Sequence, residues 1–291
     1  MADSATPAHL DPSDLGTKEY WDTLYEKELT NHAENPADEG TVWFDDSDAE
    51  HKIVEFLENN NITSSELGFN LDRESAAVLD LGCGNGSLLF ALRDAGWNGR
   101  LLGVDYSERS VELAQRVGVS RGVLREEEGE AEERVVEFRV WDVLRGALDD
   151  VRATTPPPPP PPPPAAAAAM TQDKEGEGGN SAAAAGWDIV LDKGTFDAVS
   201  LSGERDTQGR RVCEGYGERV LQLLRTGGIF VVTSCNWTEK ELRDWFETKT
   251  EALPETGARL RLAGRIEYPS FSFGGVKGQT ISTLCFEKIL A

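Results

Sequence analysis

Val78 to Leu88 reads V-L-D-L-G-C-G-N-G-S-L and Gly103 to Ser107 reads G-V-D-Y-S; no other feature of the sequence limits its fold so tightly. The first segment is an apolar strand ending in Asp80, then glycines at 82, 84 and 86, then an apolar run suited to a helix, Leu88-Leu89-Phe90-Ala91-Leu92. The second is another apolar strand ending in an acid, Asp105. It lies about 20 residues past the glycines, where an open α/β sheet presents a ribose-binding carboxylate. A chain that turns sharply from strand to helix while a ligand approaches its backbone needs residues without a Cβ. A glycine-rich turn alone would say little, since tight turns need glycine anyway. Strand, loop, helix, strand and acid in this order point to a nucleotide-type ligand.

The spacing is G-x-G-x-G with an acid two residues ahead, not the G-x-G-x-x-G of nicotinamide enzymes. In this the two segments resemble the first two motifs of the class I (seven-stranded, Rossmann-like) methyltransferases. The resemblance implies that the loop cradles S-adenosylmethionine and that Asp105 takes the ribose hydroxyls. A third strand end, Phe138-Arg139-Val140-Trp141-Asp142, falls where class I enzymes place the acid that receives the adenine amino group. By itself Asp142 would be an ordinary strand-end aspartate. The expected cofactor contacts are therefore Asp80, Gly82, Cys83, Gly84 and Gly86, then Asp105 and Tyr106, then Asp142 and Val143.

The hydrophobic share of 39% is low for a compact fold, but the deficit is local. Between 154 and 186, nine prolines (156–164) precede five alanines, an acidic glycine-rich patch and four more alanines. Polyproline favours an extended rod, and the rest cannot bury enough apolar surface to fold. A disordered insertion is expected there, leaving about 260 residues, enough for one α/β domain with a substantial core.

Net charge is −23, and residues 1–58 hold 16 acids against three lysines, 13 of that excess. Such a surface repels phosphate backbones, which argues against a nucleic-acid partner and for a basic protein one. Acidity that only aids solubility is the blander alternative. Cysteines 83, 213, 235 and 285 form no C-x-x-C pair, and histidines 9, 32 and 51 lie nowhere near them. No metal centre is expected, and a reducing compartment is. The chain opens without a signal-like segment and has no apolar run approaching about 18 residues, so a cytoplasmic location away from membranes is expected.

Residues 1–45 read as an acidic, aromatic arm or lid, with about the first 14 disordered, ahead of a domain spanning 46–291. Trp21, Leu24 and Tyr25 share a helical face that packs on the domain or closes over its ligand. Ser47-x-x-Glu50 and Thr238-x-x-Glu241 fit capping boxes. A helix begins at Ser107-Glu108 and stops near Gly118, before an acidic turn at 126–133. Trp187 to Asp192 and Ile229 to Thr233 read as the fourth and fifth strands, and a helical run from Val220 to Leu224 stops at Gly227-Gly228. Segments 265–273 and 280–289 alternate as strands joined through Gly274, Gly275 and Gly278. The expected fold is α/β, a mostly parallel sheet with an antiparallel C-terminal edge.

Three further segments are more specific: L-G-T-K-E-Y-W-D-x-L-Y (15–25), D-K-G-T-F-D (192–197) after strand four, and S-C-N-W (234–237) after strand five. Together they resemble the fungal branch of the elongation factor 1-alpha lysine methyltransferases. The resemblance covers nearly everything except residues 1–14 and the insertion. It implies methyl transfer from S-adenosylmethionine to a lysine ε-amine of elongation factor 1-alpha in the cytoplasm, which would be the basic protein partner expected from the charge; a monomer is expected. D-K-G-T also occurs in sister enzymes acting on other proteins. A class I enzyme of a small molecule, or a non-catalytic S-adenosylmethionine-binding subunit, stays open.

Asp192 and Asn236 are the candidates for positioning the lysine, with a turn cap the alternative for Asp192. Phe196 and Trp237 are candidate channel walls or plain core, and Trp21 and Trp43 candidate lid residues. Amino-methylating nucleic-acid enzymes carry Asp or Asn followed by Pro-Pro and an aromatic after strand four, which this chain lacks. Cys235 follows Ser234 at a strand end and reads as structural.

Overall fold

The computed structural model describes residues 9–61, 71–123, 136–153, 186–250, 252–273 and 276–290. The Pro/Ala insertion at 154–185 and the acidic turn at 126–133 lie outside the described residues, as do Gly274 and Gly275.

Five strands are parallel: β1 (Val78–Leu81), β2 (Leu101–Asp105), β3 (Val136–Val140), β4 (Trp187–Lys193) and β5 (Leu224–Ser234). Every residue of β1 and β2 is buried, as strands covered on both faces must be. The sheet is completed by β6 (Arg259–Ile266) and β9 (Ser282–Ile289), in the order β3-β2-β1-β4-β5-β9-β6. β9 runs antiparallel to both β5 and β6. The chain winds outward from β1 through β2 to β3, then returns to β4 on the other side of β1. Ligands of open α/β sheets bind beyond the strand ends at such a reversal.

Two apolar layers sandwich the sheet. One packs α1 (Lys18–Glu34), α2 (Ala49–Asn61), α3 (Ser87–Asp94) and α4 (Glu108–Ser120) through residues such as Leu29, Leu57, Leu89 and Leu113. The other packs α5 (Thr195–Ser200), α6 (Tyr216–Leu223) and α7 (Glu239–Arg243), with a π-helical turn at Asp244–Lys249, through Phe196, Leu221 and Phe246. Ser107 and Thr238 cap α4 and α7 as their sequences predict, Thr238 within a full capping box.

Several expectations are corrected. Residues 9–14, expected to be disordered, are held to the domain: the Ser13 N–H donates to the Leu201 carbonyl at 3.1 Å and Arg211 donates to the Leu10 carbonyl at 3.3 Å. A buried arginine that needs carbonyl partners is a tertiary requirement with no local signature. Tyr25 and Leu29 of the arm belong to the same core as α2–α4. No capping box forms at Ser47, because Asp45–Ser47 make a 3-10 turn and α2 starts at Ala49. The Gly227-Gly228 pair lies inside β5, at the register shift between Trp187 and Ile189 of β4, rather than ending a helix. Finally, 265–273 is not one strand. β6 starts earlier, at Arg259, and β7 (Ser270–Phe273) pairs with β8 (Val276–Gln279) as a separate ribbon.

Candidate active site

The glycine turn follows β1 because the chain must reverse into α3 with no side chain in the way. Gly82 has φ +64°, and a Cβ built there would lie 2.1 Å from Thr195 Oγ1. That hydroxyl is itself fixed, donating to the Leu81 carbonyl at 2.6 Å. At Gly84, a Cβ would lie 2.9 Å from the Tyr25 hydroxyl, so the arm rests directly on the turn. The Asp105 carboxylate braces the same turn: it accepts from the Ser107 N–H (2.9 Å), the Ser110 hydroxyl (2.9 Å) and the Gly84 N–H (3.3 Å). Burial raises its pKa, and those three hydrogen bonds oppose the shift.

Above this turn is a cavity of about 900 Å³, within the range of about 300–1,000 Å³ usual for small-molecule sites. Of the predicted cofactor contacts, Gly82, Asp105, Tyr106, Asp142 and Val143 line it. Asp142 also accepts from the Leu144 N–H at 2.8 Å, which fixes the turn beyond β3. Asp80, Cys83, Gly84 and Gly86 are not on its wall. Asp80 is buried beneath it, where desolvation pushes its pKa well up and the Lys193 charge pulls it back. The roof is the arm: Leu15 to Glu19, Trp21, Tyr25, Trp43 and Phe44. Trp21 and Trp43, the predicted lid residues, are brought together here in an edge-on pair with centroids 5.5 Å apart.

The opposite wall comes from the segments after β4 and β5 and includes Lys193, Gly194, Thr195, Asp197, Cys235 and Asn236. Asn236 is exposed on this wall. Asp192 is not on it. It is 1% exposed, and its carboxylate caps α5 by accepting from the Thr195 N–H (2.8 Å) and the Phe196 N–H (3.0 Å), with the Tyr216 hydroxyl at 2.6 Å. Burial pushes its pKa up to about 7 against these bonds. The turn-cap alternative thus accounts for this residue. Phe196 and Trp237 are likewise core rather than channel wall, 1% and 4% exposed within an aromatic cluster containing Trp245 and Phe246.

Asp197, five positions beyond Asp192, lines the cavity in its place. It is the first-turn acid of α5 and accepts from Ser234 Oγ and from the Cys235 N–H at 2.8 Å, tying the turn after β5 to the turn after β4. The available signal was an acid one helical turn beyond the strand end. Cys235 is exposed, with its sulfur 3.3 Å from Asp197. Partial covering of the sulfur and then that carboxylate push its thiol up to about 12. Among the described residues no helix is long and apolar enough to cross a membrane.

Residues 72–147 match a family model described as a methyltransferase domain. Over 97% of both chains, the sequence is 37% identical to protein-lysine N-methyltransferase EFM4 of Saccharomyces cerevisiae. It is 34% identical to efm4 of Schizosaccharomyces pombe over 96% of this chain and 95% of that one. Identity to human EEF1A lysine methyltransferase 2 is 30%, over 96% of this chain and 88% of the relative.

Proposed function

This chain belongs to the family of protein-lysine N-methyltransferases, and we propose that it transfers the methyl group of S-adenosylmethionine to a lysine ε-amine of translation elongation factor 1-alpha. The observation that carries the reading is one cavity shared by the glycine turn, the D-K-G-T segment and the turn after β5, beneath an aromatic roof.

The residues present fit the cofactor. Gly82 lines the cavity at the strand end, and Asp105, Tyr106, Asp142 and Val143 follow along the same wall. Bound there, S-adenosylmethionine supplies an electrophilic methyl on a sulfonium. The chain must hold the acceptor in line with it and keep water out. A lysine with its ordinary pKa near 10.4 loses its proton at a cost of about 4–5 kcal/mol at pH 7. Trp21, Trp43 and Phe44 give the cavity an apolar face, which disfavours the charged ammonium and lowers that cost. Asn236, exposed on the facing wall, can accept from the amine without raising its pKa as a carboxylate would. Asp197 serves as a positioning group for that turn, its oxygens already engaged by Ser234 and Cys235.

The same reading has the enzyme act as a cytoplasmic monomer on a basic protein, a partner that the net charge of −23 favours over a nucleic acid. The test is labelled S-adenosylmethionine added with the protein to a lysate from cells lacking it. Label in elongation factor 1-alpha, identified by mass spectrometry, is expected. Label confined to small molecules or to a different protein would contradict the substrate assignment.

A further inference from the structure

Lys193 closes β4 with its side chain only 12% exposed, and its ammonium makes two contacts on different elements. It donates to the Trp43 carbonyl at 3.1 Å and pairs with Glu50 Oε1 of α2 at 3.3 Å. The same Glu50 oxygen accepts from Ser87 Oγ at 2.5 Å, and Ser87 is the first residue of α3, directly after the glycine turn. One buried cation therefore joins the roof, α2, the glycine turn and the strand end that carries the acceptor wall. Phe44, next to the latched carbonyl, has φ +65° and lies across Gly194, where a Cβ would be 3.3 Å from its ring. Phe44 and Asp48 are the only non-glycine residues at positive φ among those described, and they flank the turn that carries Trp43 and Phe44 to Lys193. Backbone held in such a conformation persists only where surrounding contacts impose it, and such residues cluster at ligand clamps and switch regions.

We infer that Lys193 is a positioning residue that latches the Trp43–Phe44 wall onto the strand-four end and, through Glu50 and Ser87, holds that wall in register with the glycine turn. The inference rests on the proposed cofactor reading for its consequence but not for its geometry. A plain structural role is the rival: Lys193 would then only neutralise Glu50 and the nearby buried Asp80, and any arrangement that removed the charge imbalance would serve as well.

The experiment uses the full chain with Lys193→Met, Glu50→Gln and the double variant. Amide hydrogen exchange at residues 41–48 is read in the free protein, and S-adenosylhomocysteine affinity by calorimetry. Loss of the latch should speed exchange at 41–48 about tenfold or more in Lys193→Met, through local opening rather than global unfolding. Cofactor-product affinity should weaken about tenfold with it. The double variant, balanced in charge, should melt close to the wild type yet remain as open and as weak as Lys193→Met. If it instead recovers slow exchange and full affinity, Lys193 is a counter-ion only and the inference fails. Should both lysine variants fail to fold, the wild type decides: S-adenosylhomocysteine must slow exchange at 41–48 and at 82–87 together. Protection of 82–87 alone would overturn the coupling. Absence of any S-adenosylhomocysteine binding would count against the cofactor reading, while exchange in the free variants would still judge the latch.

Discussion

Gly84 and Asp105, which hold the floor of the cavity, are 21 residues apart, whereas Trp43 and Lys193, which fix its roof, are 150 apart, and Asp22 and Ser107 are 85 apart. Floor and roof face the same space but obey different constraints. The floor is a matter of backbone: a strand must end, turn without side chains and start a helix, and the residue types that permit this are few. The roof is a matter of long side chains and single carbonyls meeting across the fold, which many residue types can satisfy. A substitution in the floor should therefore act on fold and cofactor together, and one in the roof mainly on binding and turnover.

The largest effect is expected at Gly82. Alanine there would hold a left-handed backbone at a cost of about 1–2 kcal/mol. Its Cβ would also collide with the fixed Thr195 hydroxyl, and overpacking of this kind costs about 1–3 kcal/mol more. At about 2–4 °C per kcal/mol for a domain of this size, the melting temperature of Gly82→Ala should fall by several degrees or more. Added S-adenosylhomocysteine should no longer raise it. A variant that melts and binds like the wild type would break the distinction.

Next is Asp105. If its carboxylate serves the ligand as well as bracing Gly84, Asp105→Ala should weaken S-adenosylmethionine binding at least about tenfold, since each charge-assisted hydrogen bond is worth about 1.5–3 kcal/mol. Calorimetry on the folded variant reads this. Unchanged affinity would reduce Asp105 to a brace.

The legibility of the sequence follows the same division. The succession of strands, the glycine turn and the strand-end acids Asp105 and Asp142 could be read because period, punctuation and spacing are local properties. Asp192 could not be told from Asp197, because both are acids in one D-K-G-T-F-D run and only tertiary packing decides that Asp192, on β4, is covered by Tyr216 while Asp197, on α5, reaches the cavity. Phe196 and Trp237 were ambiguous because only tertiary contacts decide whether an aromatic beside a site packs in the core or lines a channel. Lys193 was invisible as a latch, since its partners Trp43 and Glu50 lie on the other side of the chain's longest excursion.

The two acids give a paired test of intermediate size. Asp192→Asn should lower the melting temperature, and Asp197→Asn should reduce turnover with cofactor affinity little changed. The Asp192 case has a pH signature. Its folded pKa of about 7 lies above the ordinary carboxylate value, so the folded state binds the extra proton as pH rises from about 4 to 7. That contribution is fully present at low pH and is lost as pH rises through about 7. The wild type thus loses over this interval a contribution that the neutral asparagine keeps. The melting-temperature gap between Asp192→Asn and wild type should narrow from pH 5 to pH 8, and a widening gap would contradict the burial argument.

The smallest effect is expected on the roof's outer edge. Asp45, Asp46 and Asp48 are exposed, and their conversion to asparagine should slow methylation of a protein substrate roughly two- to threefold at low salt, fading as salt screens the attraction. Cofactor affinity should be unaffected. Equal rates at every salt concentration would leave this acidity a matter of solubility.

If one cavity joins a cofactor-binding floor to a lysine-accepting wall, this chain alone methylates its protein substrate. Purified elongation factor 1-alpha, incubated with the enzyme and S-adenosylmethionine and then mapped by peptide mass spectrometry, tests it most directly. Whole-methyl mass increments on a lysine are predicted, lost on omission of the enzyme and sharply reduced by Asn236→Ala. An enzyme that binds S-adenosylmethionine with ordinary affinity yet leaves every lysine of that protein unmodified would contradict it.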